Sequence, residues 1–182
     1  VLGHPITFFD IGNPKTIQFG FSLEYRPGKR LTCLGDESCR PEGEKYVAGS
    51  EWLLHEAFCL ESDNDIFHPH KIAHSTVKDA CELAERYSVP NLILYHTEES
   101  HGDQRQKLYL EEGRKYFSGN LLVPEEGEFG TLYGHFARAN PHWQALDGQE
   151  ALAVFSGPNT YVHPGWYPGK AEHGRVVPTW NY

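Results

Sequence analysis

Three polar residues stand where short apolar runs end, and a fourth opens a helical stretch. Asp36 sits in Gly35-Asp36-Glu37 after a run ending at Leu34, Glu56 sits in His55-Glu56 after Trp52-Leu53-Leu54, and His96 follows Leu92-Ile93-Leu94-Tyr95. His74 stands just ahead of an amphipathic stretch. Neutral imidazole and carboxylate are the standard protein ligands of zinc, so an Asp, a Glu and two His arriving on converging loops are the raw material of a hydrolytic metal site. The competing reading is that each His is a hydrogen-bonded surface residue. Spacing alone leaves both readings open.

The elements that must position these residues alternate between strand and helix. Pro5 to Ile11, Ile17 to Tyr25 and Arg30 to Leu34 read as three strands of a meander, with Arg26-Pro27-Gly28-Lys29 supplying the turn between the second and third. Trp52-Leu53-Leu54 reads as a short buried strand ending at His55-Glu56. Val77, Ala80, Leu83, Ala84 and Tyr87 recur at helical spacing, with Ser75 or Thr76 as N-cap and Pro90 beyond the end. That helix feeds a buried strand, Asn91 to Tyr95, and a second helix is expected from about Asp103 to Tyr116. Strand ends are where α/β proteins place ligands.

Composition bounds the function classes. The chain has 182 residues, enough for one large or two small domains, and a net charge of −9, which argues against a general nucleic-acid surface. No apolar run approaches a membrane span and no secretory signal pattern opens the sequence, so a cytoplasmic location is expected. Cys33, Cys39, Cys59 and Cys81 lack the paired spacing of a zinc ribbon and are expected to be free thiols. The absence of Met, even at position 1, points to a fragment. Up to Glu126 there are 13 Lys/Arg, 21 Asp/Glu, all four Cys and one Trp; from Gly127 on there are 3, 4, none and three. The acidic stretch Pro124-Glu125-Glu126-Gly127-Glu128 is the natural joint between parts 1–126 and 127–182.

Leu34-Gly35-Asp36, Leu53-Leu54-His55-Glu56-Ala57, His74-Ser75-Thr76 and Leu92-Ile93-Leu94-Tyr95-His96-Thr97 resemble, in order and approximate spacing, the C-terminal half of ribonuclease Z-like metallo-β-lactamase hydrolases. The resemblance implies an α/β fold, half of an αβ/βα arrangement with a mixed sheet and flanking helices. It implies that Asp36 bridges two zinc ions and that His96 is a terminal ligand. It further implies that Glu56 orients His74, which protonates the leaving oxygen, while two metals about 3.5–4 Å apart stabilise an in-line displacement at phosphorus. Such enzymes also carry a His-x-His-x-Asp-His cluster, which this sequence lacks; His68-Pro69-His70 lies on the wrong side of Asp36 and reads as a loop. Two protein ligands fall short of a zinc site, so a complementing chain or half is expected.

The second part reads as β-rich and aromatic. Gly130 to Ala137, Ala151 to Phe155 and Thr160-Tyr161-Val162 read as strands, and Asn140-Pro141 as a turn or short helix. Gly134 through Trp143, Phe155-Ser156-Gly157-Pro158, and Trp166-Tyr167-Pro168 through Tyr182 resemble the PaiB family of FMN-binding split-barrel regulators. That resemblance implies a split-barrel-like segment, FMN as cofactor and a homodimer. Arg138, Lys170 and Thr179 are the candidates for phosphate contacts, against a plainer reading in which Trp143, Trp166 and Trp180 are core and Lys170 is a solvated loop residue. His101, His142, His163 and His173 read as surface residues, and Glu98-Glu99 and Glu111-Glu112 as solvated charge.

Three functions follow from these features. The first is a metal-dependent phosphodiesterase acting on RNA or a smaller substrate, carried by Asp36, Glu56, His74 and His96 and incomplete in this chain. The second is a flavin-binding regulatory or reductase module. The third is an inactive chimera in which neither site is whole.

Overall fold

An alternating segment, Phe19–Arg26, sits at the centre of an antiparallel meander, and short apolar runs after it build parallel strands. The computed structural model describes residues 4–13 and 15–125, and beyond them the backbone of five short strands. β1 (Ile6–Asp10), β2 (Phe19–Arg26) and β3 (Lys29–Cys33) pair antiparallel, the last two through a tight turn in which Gly28 takes φ +72. β4 (Trp52–Glu56), β5 (Asn91–Tyr95) and β6 (Asn120–Leu122) then add in parallel, giving a mixed six-stranded sheet in the order β1 to β6. Each parallel step needs a crossover. α1 (Pro41–Val47) lies between β3 and β4, α2 (Asn64–Phe67) and α3 (Val77–Arg86) between β4 and β5, and α4 (Arg105–Gly113) between β5 and β6.

The strand register sorts side chains onto two faces, because partners opposite one another point the same way. Ser22, Thr32, Leu53, Leu92 and Leu121 form one row across the sheet. Of these, Leu53, Leu92 and Leu121 share a core with Val77, Ala80, Cys81 and Ala84 of α3 and Tyr109 of α4. The polar members are satisfied: Thr32 Oγ1 bonds to Ser50 Oγ at 2.8 Å, to the Tyr46 carbonyl and to Ser22 Oγ. The opposite row, Phe8, Phe21, Cys33, Leu54, Ile93 and Leu122, is apolar throughout. Parallel strands are typically covered on both faces, and all five residues of β4 are buried.

α3 begins with a capping box. Thr76 Oγ1 accepts from the Asp79 N–H, and the Asp79 carboxylate accepts from the Thr76 N–H at 2.8 Å. Thr76 rather than Ser75 is therefore the cap. Several expectations need correction. β4 runs on through His55 and Glu56, which lie within the strand and not after it. The helix expected from Asp103 to Tyr116 is a 3-10 turn, Gly102–Gln104, followed by the shorter α4. α1, α2 and β6 were not expected at all.

The chain divides into two compact units, Val1–Pro124 and Glu125–Tyr182. In the second, β7 (Glu128–Thr131) pairs antiparallel with both β8 (Phe136–Arg138) and β9 (Ala151–Val154), and β10 (Ala171–Glu172) pairs with β11 (Arg175–Val176). The single strand expected from Gly130 to Ala137 is thus two paired strands. Thr160-Tyr161-Val162, Asn140-Pro141, Trp143, Trp166 and Trp180 lie outside the described residues. All four cysteines are free thiols. Among the described residues, no helix is long and apolar enough to cross a membrane.

Candidate metal centre

The loops leaving the parallel strands carry Asp36, His74 and His96 to one place. After β3 the chain turns at Gly35, with φ +81, where an added Cβ would stand 3.3 Å from the Phe19 carbonyl oxygen, so glycine suits the turn that presents Asp36. His96 follows β5 directly and holds φ +51, an uncommon conformation for a residue with a side chain. Ala73, at φ +71, turns the chain ahead of His74, and Ser38 ties the loops together by donating from its N–H to the Ala73 carbonyl at 2.8 Å.

His96 Nε2 lies 3.0 Å from Asp36 Oδ1. The rings of His74, Phe58 and His96 form a triangle: His74 stacks on each of the other two, with centroids 5.2 and 5.1 Å away, and Phe58 lies tilted 6.2 Å from His96. Each of Asp36, His74 and His96 offers one ligand atom, and the three atoms lie within 4.8 Å of one another. Among the described residues this is the one such group of His, Cys, Asp and Glu. Asp36 Oδ1 and His74 Nδ1 are buried and make no aligned hydrogen bond, close as their ionic neighbours are. Uncommitted lone pairs on a carboxylate and imidazoles fit a divalent cation of the zinc type.

Glu56 stands behind this group, with its side chain fully buried. Its carboxylate accepts from the N–H groups of Ser75 at 2.6 Å and Phe58 at 3.1 Å, and sits 3.6 Å from His74 Nδ1. The last is an ion-pair separation, long for a hydrogen bond. The Glu56 carboxylate is nonetheless the largest influence on His74 and raises its pKa, against a lowering by burial. For Asp36, burial raises the pKa and the two histidines oppose it.

The remaining candidates are placed elsewhere. His55 Nδ1 bonds to the Glu56 carbonyl at 2.6 Å, and Glu37 takes a hydrogen bond from Asn13 Nδ2. His70 pairs with Asp79 at 2.7 Å, away from the ligand group, and His68 ends α2. His101, expected at the surface, is a half-buried partner of Asp63 at 2.6 Å. Glu112, expected in solvent, is buried and accepts from the Glu61 N–H at 2.7 Å; Glu111 and Glu99 are exposed. Arg138 ends β8 opposite Glu128, and its side chain lies outside the described residues, as do Lys170, Thr179, His142, His163 and His173. Sequence reasoning placed His74 beside the metals, and the structure brings it into the candidate ligand group; Phe58, whose ring stacks on the His74 imidazole, was missed. An aromatic residue two positions after Glu56 was the signal available.

The chain is similar to known proteins in both parts. The chain is similar in fold to the metallo-beta-lactamase fold protein YhfI from Bacillus subtilis, with a TM-score of 0.55 at 16% identity over 72% of this chain and 48% of that one. Ribonuclease Z of Exiguobacterium sibiricum is 34% identical over 106 residues, 58% of this chain and 34% of the relative. An uncharacterized protein of Saccharomyces cerevisiae is 38% identical over 52 residues, 28% of this chain and 31% of the relative. The chain therefore spans about a third of the length of these curated relatives. The family model described as "Putative FMN-binding domain" matches residues 67–182, opening upstream of Gly127 and crossing the division between the two units.

Proposed function

The chain belongs to the Putative FMN-binding domain family over residues 67–182, and from that membership joined to a ribonuclease Z-like first part we propose a metal-dependent hydrolase half-site coupled to a flavin-binding module. The hydrolase reading rests on one observation: Asp36, His74 and His96 present three ligand atoms within 4.8 Å. Asp36 and His96 would hold divalent zinc, with His74 either a further ligand or the proton donor. Ions bound there would polarise a phosphoryl oxygen and lower the pKa of an attacking water. Glu56, facing Nδ1 of His74, favours the charged form of the imidazole, and in the proton-donor role a charged imidazole can deliver a proton to a departing alkoxide. Phe58 shields one face of that ring from water.

The substrate class proposed is a phosphodiester, either a small molecule or RNA. The net charge of −9 favours the former, because phosphate backbones are gripped by basic faces. Three ligands are one short of a closed tetrahedral site and well short of a two-metal one, so we assign the missing ligands to a complementing chain or a homodimer partner. The flavin reading rests on the family match, with a split barrel as its fold and Arg138, Lys170 and Thr179 meeting the FMN phosphate.

Metal analysis of the purified chain beside Asp36→Ala and His96→Ala tests the first reading. Zinc retained by the wild type and lost from both variants is expected. Equal metal in all three would show that binding lies elsewhere. For flavin, an absorption band near about 450 nm after reconstitution with FMN is expected, and its absence at saturating FMN would remove the second reading.

A further inference from the structure

The residues immediately before two of the ligands are tied to each other. Tyr95 ends β5 one residue ahead of His96, and its hydroxyl donates to the carbonyl of Gly35, one residue ahead of Asp36. Cys33 Sγ lies 3.5 Å from the same hydroxyl. β3 and β5 are not neighbours, since β4 runs between them, so no ladder bond links the two ligand loops directly. Both loops depart from strand geometry at the points that matter, Gly35 at φ +81 and His96 at φ +51. Left to themselves, two such turns would fix their ligands' separation loosely.

We propose that Tyr95 is a positioning residue, whose hydroxyl sets the spacing of the Asp36 loop against the His96 imidazole so that the ligand atoms are gathered before an ion arrives. This rests on the metal-binding reading above. It goes beyond it in assigning the spacing to an atom that touches neither ion nor substrate. The other loop has its own clamp: Glu56 holds Ser75, one residue after His74, while Ser38 holds Ala73, one residue before it. Each ligand is thus gripped through a sequence neighbour, and besides the 3.0 Å contact of the His96 and Asp36 side chains themselves, Tyr95 ties the two segments through an atom that is not a candidate ligand. Partners of this outer kind usually tune metal affinity by about 10–100-fold.

Tyr95→Phe in the full 182-residue chain removes one oxygen and keeps the ring. Three measurements decide the matter: zinc affinity against a competing chelator, the imidazole nitrogen signals of metal-free His96 with those of His55 as internal reference, and thermal unfolding without metal. The expected result is a zinc affinity lower by about 10–100-fold, a moved His96 signal, an unmoved His55 signal and a small change in Tm. Unchanged affinity with an unchanged His96 signal would overturn the proposal. So would His55 and His96 moving together with a large fall in Tm, which is what a purely structural hydroxyl predicts. Should neither protein bind zinc, the metal reading fails by itself, and the metal-free His96 signal still decides whether Tyr95 sets the spacing. Should the variant not fold, a wild-type Tyr95 hydroxyl proton that exchanges slowly and shows a cross-peak to the Asp36 amide supports the tie, and a freely exchanging one overturns it.

Discussion

Glu56 shows how much one carboxylate can hold. With no solvent exposure, it satisfies two backbone N–H groups and faces an imidazole, three separate tasks on two oxygens. Replacing it by Gln would turn an amide donor toward at least one of those N–H groups. Hydrogen bonds to a charged acceptor contribute about 1.5–3 kcal/mol each, so Glu56→Gln is expected to lose at least about 2 kcal/mol in urea unfolding and to bring the His74 pKa down. A variant as stable as wild type would show that the Ser75 and Phe58 amides find other partners. Asp79 gives a pH test. Burial pushes its pKa up, but hydrogen bonds from the Thr76 N–H, His70 and the Thr76 hydroxyl outweigh burial, and the net shift is downward. A lowered folded pKa adds stability that is present above the ordinary carboxylate value of about 4 and lost as pH falls through the folded value. The stability gap between wild type and Asp79→Asn should therefore be steady near neutrality and close below about pH 4, followed by chemical denaturation at each pH. Charge was the hardest property to read from sequence. Glu112 and Glu111 are adjacent and alike, yet one caps the amides after β4 and the other is solvated, a difference set by which face of α4 meets the Glu61 turn.

The elements that sequence made legible are those whose own residues carry start and stop signals. α3 has a cap, a 3.6-residue apolar period and a proline beyond its end, and it forms where those signals place it. β5 was equally plain, being five residues of apolar run between Pro90 and His96. α1 was hidden because it is seven residues long and holds a glycine in its first turn; its burial of Val47 and the stacking of Tyr46 on Phe9 at 3.8 Å are tertiary facts. β6 is three residues long, below what any pattern resolves, and exists because Gly113 lets α4 lie close against it. A Cβ at Gly113 would stand 2.5 Å from Leu121 Cδ2 and 3.1 Å from Cys81 Sγ. Gly113→Ala should accordingly lose about 1–3 kcal/mol through overpacking, despite the better helix propensity of alanine. A gain in Tm for this variant would show that α4 and β6 can separate without cost.

At the scale of the molecule, the chain carries two family likenesses, one of which crosses the division between its two compact units, and the chemistry of each is legible only in part. The four candidate residues of the hydrolase site could be picked out because chain order alone puts Asp36 and His96 just after strands, Glu56 at the end of one and His74 just before a helix; their convergence could not, since it depends on three loops whose backbone angles no residue pattern specifies. The described residues bring three candidate ligands together, and two are histidines with the Phe58 ring beside them, stacked on His74 and tilted to His96. Three ligands with the remaining positions open can hold one ion, whereas a two-metal site needs a second set. The isolated chain should therefore bind no more than one zinc ion and hydrolyse a generic phosphodiester such as bis(p-nitrophenyl) phosphate poorly. Co-expression with a polypeptide carrying a His-x-His-x-Asp-His cluster should raise both the stoichiometry and the turnover, and Asp36→Ala should abolish the gain. Two zinc ions per chain with Asp36-dependent turnover in the absence of any partner would mean that this sequence replaces the missing ligands itself, and the division of the site between two polypeptides would have to be abandoned.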